Sequence, residues 1–413
     1  MNKLVTAFLS FQFASIIDAM YDCPRPSCDT CLSTQIHDAP GIGFDLTPSY
    51  GTASVHYYNG TIIEVAHIQG NSEYLDLMRR LTGEEPRRQS DRTKQSLYEI
   101  IISRFSLSDT TAWGAWWRWL NKNLGRPIKA HSDIEIISAL LQQLRVSTEK
   151  EISQPLDRVA VVTPDISSIS STVNAALGDL NLRTWVGDSG YYPNPLVQAD
   201  AIYAAHGFGL CVNYKDLWEC EDEFYISPFD IDTLPYVDVF TIFYSRHLLY
   251  TSIIAPVGGE ALTRFTWDEA QLLDFEVGLD HLLQTNESQQ DALWSHLRSQ
   301  LLILPREYPR SLTHILLAGE SVTHPRFLAT LKDALAEMMP ILPVNLQRNI
   351  SESDHAGPAI VSTAINPTFA ASRGAALFAR RRQEVQADCT ERSNCEAMRE
   401  RERVGLFPKE DLR

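Results

Sequence analysis

Three consecutive β-strand patterns near the start of the chain place the strongest constraint on its fold. They cover residues 42–46, 52–58 and 61–68. Thr47-Pro48-Ser49 separates the first two patterns, and Asn59-Gly60 separates the second from the third. Asn-Gly tolerates the positive φ angles of a tight hairpin turn. The sequence therefore predicts an antiparallel meander of three strands.

Helix and strand patterns alternate after the meander. Amphipathic periodicity over residues 133–144 predicts a helix, and the short apolar run at 158–163 predicts a buried parallel strand. Residues 166–177 predict a second helix. A meander followed by helix, strand and helix is typical of an α/β layer.

The second half of the chain predicts a similar order of elements. A helix is expected at 195–206, a strand-turn-strand unit at 237–254 and helices over 266–304. A buried strand follows at 314–321, and Pro325 stands where the next helix should begin. The architecture therefore occurs twice, without the fixed period of a solenoid.

Composition excludes some classes of partner. A chain of 413 residues with 44% hydrophobic content can bury a core and form two or more domain-sized units. Its net charge of −16 repels a polyphosphate backbone, so we expect no nucleic-acid partner. After residue 19, no apolar run reaches the ~20 residues that a membrane span needs.

The first 19 residues resemble a secretory signal peptide. Lys3 precedes an apolar run over residues 4–17, and Ala19 is small enough for cleavage after it. This interpretation places the protein in the endoplasmic reticulum lumen or outside the cell. In the alternative interpretation the segment is a buried helix or strand, and the protein is cytoplasmic.

Three tripeptides are acceptor sequences for N-glycosylation, which fits a secreted protein. They begin at Asn59, Asn286 and Asn349.

The seven cysteines fall into three local groups, and their short spacing favours disulfides within each group. Candidate disulfide cysteines are Cys211 with Cys220 and Cys389 with Cys395. The first group contains Cys23, Cys28 and Cys31, so one thiol is left over. The alternative for the pair Cys28 and Cys31 is a redox motif, or a zinc site with a ligand such as His37.

Five segments, in order, resemble motifs of the ATPase domain of the 70-kilodalton heat-shock chaperones. Residues 41–50 resemble its first phosphate loop, and 158–164 its strand that ends in Val-Pro. Residues 194–207 resemble its Asn-Glu-Pro helix. Residues 315–325 resemble its adenosine motif, and 365–376 its closing helix.

This resemblance spans about residues 41–382 and implies an α/β protein with the two-lobed actin-like ATPase fold. That fold consists of duplicated ribonuclease-H-like domains with a nucleotide in a central cleft. The implied organisation is a signal peptide (1–19), a cysteine-containing segment (20–40), lobe I (41–190), lobe II (191–364), a closing helix (365–382) and a charged tail (383–413).

The resemblance also implies ATP or ADP with Mg²⁺ in the cleft. The candidate nucleotide-binding residues are Asp45, Thr47, Ser49, Tyr50, Gly319, Ser321 and Gly374. Asp45 is the best candidate for a catalytic carboxylate, and no metal ligand can be assigned. In the alternative interpretation, the small residues only allow strands and helices to pack closely.

Departures from the family pattern predict poor ATP hydrolysis. Pro48 removes an N–H donor from the first loop. Residues 244–249 replace the glycine-rich second loop, and Pro195 replaces the acid of the Asn-Glu-Pro helix. Each lost group of this kind typically costs ~10²-fold or more in rate.

We therefore expect a degenerate ATPase that acts through contacts with a protein partner or client. The segment after Arg382 is too short for the family's peptide-binding domain. The alternative is an active ATPase that uses relocated groups, for example Asp45 with Asp238 and Arg246.

Overall fold

The predicted meander forms one side of the first of two sheets. Its strands are β1 (Gly41–Leu46), β2 (Tyr50–His56) and β3 (Ile62–Gln69), each antiparallel to the next. β4 (Arg158–Thr163) lies parallel to β1, and the short β5 (Arg183–Thr184) and β6 (Leu196–Val197) pair with β4. All six residues of β1 are buried, so the sheet is covered on both faces at its centre.

The structure is a computed structural model. It describes residues 27–83, 128–185, 196–210, 214–215, 238–257, 265–308, 312–338, 365–386 and 389–405.

Three of the described helices pack around the first sheet. They are α2 (Ser72–Gly83), α3 (Ile128–Ile152) and α4 (Ser167–Asp179). Ile137, Leu141 and Leu144 of α3 are fully buried in one cluster with the apolar side chains of β1 and α4. The predicted helices at 133–144 and 166–177 and the strand at 158–163 are confirmed.

The second sheet repeats the arrangement of the first. β7 (Val239–Tyr244), β8 (Leu249–Val257) and β9 (Phe265–Asp274) form an antiparallel meander, and β10 (His314–Ala318) lies parallel to β7. Two helices lie between β9 and β10, namely α6 (Leu279–Gln284) and α7 (Glu287–Glu307), and α8 (Pro325–Met338) follows β10. Pro325 begins α8, as predicted.

The helix predicted at the start of the 266–304 stretch is wrong. Residues 265–274 form β9, which pairs with β8 along its length. The segment contains Glu, Gln, Ala and Leu, which favour helices in isolation. Pairing with β8 overrides that weak local preference, because β-structure depends on neighbouring strands more than on intrinsic tendency.

Two helices join the sheets. α9 (Ala370–Arg382) packs on β1 and on α5 (Gln198–Ala205). At Gly374 of α9, an added Cβ would lie only 1.9 Å from the carbonyl oxygen of Ala201. The helices therefore approach each other at backbone distance. One apolar cluster includes side chains from both sheets and from both helices.

The described residues fall into two compact units. The main unit lies within residues 40–382, and the terminal unit consists of residues before 40 and after 382. The terminal unit contains α1 (Thr34–His37) and α10 (Cys395–Arg403). Arg403 makes a two-point ion pair with Asp38, at 2.8 and 2.9 Å. Burial opposes ionisation of Glu396, but hydrogen bonds from Arg403 and Arg399 lower its pKa to about 2.

The disulfides of the terminal unit connect the two ends of the chain. Cys28 is bonded to Cys389, and Cys31 to Cys395. The prediction of local disulfides is wrong for Cys389 with Cys395, although both residues are disulfide-bonded. The reason is that the two end segments lie side by side, with Cys28 N–H donating to the carbonyl oxygen of Thr390 at 3.0 Å.

These bonds also overturn the zinc and redox alternative for Cys28 and Cys31, because neither sulfur is a free thiolate. The candidate cysteines Cys211 and Cys220 lie outside the described residues. Two disulfides are typical of an oxidising compartment. In the part of the chain that the structure describes, every helix is too short or too polar to cross a bilayer.

Candidate functional site

The turn between β1 and β2 is held together by hydrogen bonds to one of its own residues, Thr47. Thr47 donates from its N–H and from its hydroxyl to the carbonyl oxygen of Tyr50, at 2.9 and 2.8 Å. The same hydroxyl oxygen accepts the N–H groups of Ser49 and Tyr50, at 3.0 and 2.9 Å. Pro48 has no N–H. Every backbone donor of this first turn, residues 47–50, is therefore used within the turn.

The turn between β7 and β8 has the same hydrogen-bond pattern. Ser245 N–H donates to the carbonyl oxygen of Leu248 at 3.0 Å. Its hydroxyl oxygen accepts the N–H groups of His247 and Leu248, at 3.3 Å each. Arg246, at the position of Pro48, donates its N–H to Glu320 Oε1 at 3.4 Å. This second turn, residues 245–248, therefore also keeps its donors occupied.

Asp45 is the buried acid nearest the first turn in sequence, and it is hydrogen-bonded to α5. Gln198 Nε2 lies 3.0 Å from Asp45 Oδ1 and 3.3 Å from Oδ2. Burial raises the pKa of Asp45 to about 8, and the hydrogen bond from Gln198 only partly opposes the rise. The carboxyl group is therefore mostly protonated at neutral pH, which makes it a poor ligand for Mg²⁺.

Glu320 connects the two sheets at their turn-bearing ends. It follows β10, and its carboxylate lies 3.3 Å from His67 Nε2 of β3 and accepts a short hydrogen bond from Gln69 Nε2. The other oxygen accepts the N–H of Arg246. Burial alone would raise the pKa of Glu320, but the bonds from His67, Gln69 and Arg246 lower it. A carboxylate thus occupies the space between the sheets as an internal anion.

Aromatic rings fill the space next to this carboxylate. The Tyr50 ring is fully buried and lies edge-on to His67, with 4.6 Å between centroids. On its other side it contacts Phe243 of β7, at 5.8 Å. Aromatic side chains therefore fill the space between the sheets in which a phosphate site would need exposed backbone.

Gly319 and Ser321 lie in the turn after β10, where their backbone groups contact neighbouring strands. Gly319 has φ +106°, and an added Cβ would lie 2.2 Å from the carbonyl oxygen of Tyr244. Its N–H donates to Pro367 O at 2.9 Å, and Ser321 N–H donates to Tyr244 O at 3.1 Å. Gly319 and Gly374, the latter between α9 and α5, lie where backbones approach closely, which is the arrangement that the alternative interpretation expects.

The proposed relocated catalytic groups are not brought together. Asp238 precedes β7, whereas Arg246 follows its other end, so the strand separates them by about 20 Å at the usual rise per residue. Asp238 Oδ1 accepts the hydroxyl of Tyr308, and Arg246 pairs with Asp280 at 2.9 Å. Asn194 and Pro195 lie outside the described residues.

Sequence reasoning missed two residues that shape this site. Gln198 is the first residue of α5 and has no motif that marks it as a partner of Asp45. Glu320 stands in the segment 315–325 that resembles the adenosine motif, and that resemblance assigns it no partner. Its contacts with His67 and Gln69 depend on how the two sheets face each other, which the sequence alone does not reveal.

No protein-family model matches the chain, and no curated protein matches its sequence significantly. The geometry of the site therefore carries the functional argument.

Proposed function

We propose that the chain is a divergent relative of the ATPase domain of the 70-kilodalton heat-shock chaperones, built on the two-lobed actin-like fold. In this proposal it binds nucleotide weakly or not at all, does not hydrolyse ATP efficiently, and acts through contacts with a protein client. Support comes from the order of the five motifs and from two sheets with equivalent meanders.

The observation that carries the proposal is the state of the two turns. A polyphosphate needs several backbone N–H groups that point outward and are free to donate. Here the hydroxyl groups of Thr47 and Ser245 accept the donors of their own turns. Such a pair of turns stabilises the local structure, and it binds phosphate poorly because its N–H groups are already occupied.

Charge at the site favours the same conclusion. Glu320 places a carboxylate between the sheets, and its repulsion of a triphosphate is strong because the site is half-buried. The neutral Asp45 supplies little charge to hold a metal. The residues present therefore do not fit Mg-ATP well, and we assign no hydrolytic step to them.

The disulfides indicate an oxidising compartment, and the signal-like N-terminus supports entry into the secretory pathway as part of the proposal. A client protein there would be recognised by surface contacts that do not depend on a nucleotide cycle.

Calorimetric titration of the full chain with Mg-ATP and Mg-ADP, together with phosphate release, tests the nucleotide half of the proposal. We expect no saturable heat and no turnover above the buffer rate. An aggregation assay with a heat-unfolding reporter protein tests the client half. We expect the chain to slow light scattering equally with and without Mg-ATP.

Two variants make the test specific. Asp45→Asn removes the candidate catalytic acid with little change in volume, and Asp333→Asn on the exposed face of α8 is its matched control. Saturable binding and hydrolysis that Asp45→Asn abolishes and Asp333→Asn retains would favour the active-ATPase alternative. A chain that neither binds nucleotide nor slows aggregation would refute the client role.

A further inference from the structure

The tip of the β2–β3 hairpin presents one acceptor tripeptide in an open, ordered turn. Asn59 is exposed and Gly60 has φ +83°, with nothing within 4 Å of an added Cβ. Tyr57 N–H donates to Thr61 O at 2.8 Å, and Gly60 N–H donates to Tyr57 O at 3.0 Å. The hairpin is thus fixed by backbone bonds, and the Asn59 side chain stands clear of it.

The two polar atoms of the Asn59 side-chain amide differ in their contacts. Its Oδ1 accepts the N–H of Thr61 at 2.9 Å, which forms an Asx-type turn. Among the described residues, the structure gives no hydrogen-bond partner to its Nδ2. The nitrogen that would carry a sugar therefore faces solvent, with the exposed Thr61 two residues on in the same turn.

We infer that Asn59 carries an N-linked glycan. In that step Asn59 Nδ2 forms a bond to the anomeric carbon of a polyisoprenyl-pyrophosphate-linked oligosaccharide. The bond from that carbon to the pyrophosphate oxygen breaks, the amide loses one proton, and the lipid pyrophosphate leaves with the electron pair. The inference rests on the secretory entry that is part of the proposed function.

The other two acceptor sequences give weaker cases. Asn286 is exposed, but α7 begins at the next residue, so Ser288 is held within a helix and the tripeptide does not form the same turn. Asn349 lies outside the described residues.

A glycan on Asn59 would lie at the opposite end of β2 from the first turn. β2 runs from Tyr50, in the first turn, to His56, near the hairpin tip, which is about 20 Å at the usual rise per residue. The bulk of the sugar would cover the hairpin end of the first sheet. A client would therefore bind elsewhere on the molecule.

Translation of the full chain with endoplasmic reticulum microsomes tests the inference, with protease protection and peptide N-glycosidase F as the two readouts. In gel electrophoresis, the Asn59→Gln and Thr61→Ala chains should each run at an apparent mass lower than that of the wild-type chain by one N-linked glycan. Thr61→Ser is the matched control, because it keeps the hydroxyl group of the acceptor, and it should migrate with the wild type. Glycosidase treatment should convert Asn59 to Asp in the wild-type peptide.

The contrary outcomes separate the two proposals. A protected chain whose Asn59→Gln and Thr61→Ala variants migrate with the wild type would overturn glycosylation at Asn59 and leave secretory entry intact. A chain that is digested without detergent and shows no glycan would overturn both.

Discussion

At the scale of single residues, Asp45 shows how burial changes the character of a side chain that a motif identifies. A carboxyl group at the end of a strand would be charged in water, with a pKa near 3.8. Here it is buried, and among the described residues its hydrogen-bond partner is an uncharged amide, that of Gln198. Within the described part of the chain, no cationic side chain compensates for the lost hydration of Asp45, so the neutral acid is the stable form.

This raised pKa predicts that stability falls with rising pH. The unfolded chain releases the Asp45 proton near pH 4, whereas the folded chain holds it until about pH 8. The stability that the protonated Asp45 contributes is therefore fully present below pH 4. It is lost as pH rises to 8, and the free energy of unfolding falls by up to about 1.4 kcal/mol per pH unit. Urea unfolding of the wild type and Asp45→Asn across this range measures the effect.

Asp45→Asn should remove that slope, because an amide does not titrate. The new amide can donate to Gln198 Oε1, which is buried and accepts no hydrogen bond from the residues that the structure describes. The variant should equal the wild type near pH 4 and exceed it at pH 8. Equal slopes in the two proteins would show that Asp45 is ionised in the folded state.

The hydroxyl of Thr47 gives a second residue-scale prediction. Thr47→Val keeps the shape but leaves the buried N–H groups of Ser49 and Tyr50 without an acceptor, which costs about 1–3 kcal/mol for each unsatisfied group. Thr47→Ser keeps the acceptor and should lose less than about 1 kcal/mol. Chemical denaturation compares them, and equal losses would contradict the proposed role of the hydroxyl.

At the scale of elements, the sequence correctly predicted the meander, α3, β4 and α4, because the signals for these elements are local. The turn residues Thr47-Pro48-Ser49 and Asn59-Gly60 mark the meander, and the apolar run at 158–163 marks β4. β9 and the cysteine pairing were wrong because both depend on distant segments. The partners of Asp45 and Glu320 were unpredictable for the same reason.

The contact between α9 and α5 gives a prediction with a matched control. Gly374→Ala would place a Cβ 1.9 Å from Ala201 O, so the helices must separate, and we expect a loss of about 3 kcal/mol or more. Gly178→Ala in α4 meets no atom within 4 Å and should stabilise the protein by about 0.5–1 kcal/mol. Thermal unfolding of both variants distinguishes crowding from helix propensity, and a stable Gly374→Ala protein would show that the two helices can move apart.

At the scale of the whole molecule, the disulfides lie outside the main unit but still constrain it. The main unit begins and ends at neighbouring points, because a Cβ on Gly41 would lie 2.4 Å from the backbone nitrogen of Arg380. In the unfolded state the same two points are held together by these two disulfides, whose cysteines are separated by 361 and 364 residues in sequence. The bonds therefore stabilise the main unit by restricting its unfolded chain.

This argument predicts strongly non-additive effects of cysteine removal. Replacing Cys28 and Cys389 by Ser, or Cys31 and Cys395 by Ser, leaves one long loop closed, so the free energy of unfolding of the main unit should hardly change. Replacing all four residues opens the loop and should cost about 5 kcal/mol. Urea unfolding, followed by a probe within the main unit, measures the three proteins. Two equal and additive losses would mean that each disulfide acts through local contacts in the folded state, and that loop closure contributes little.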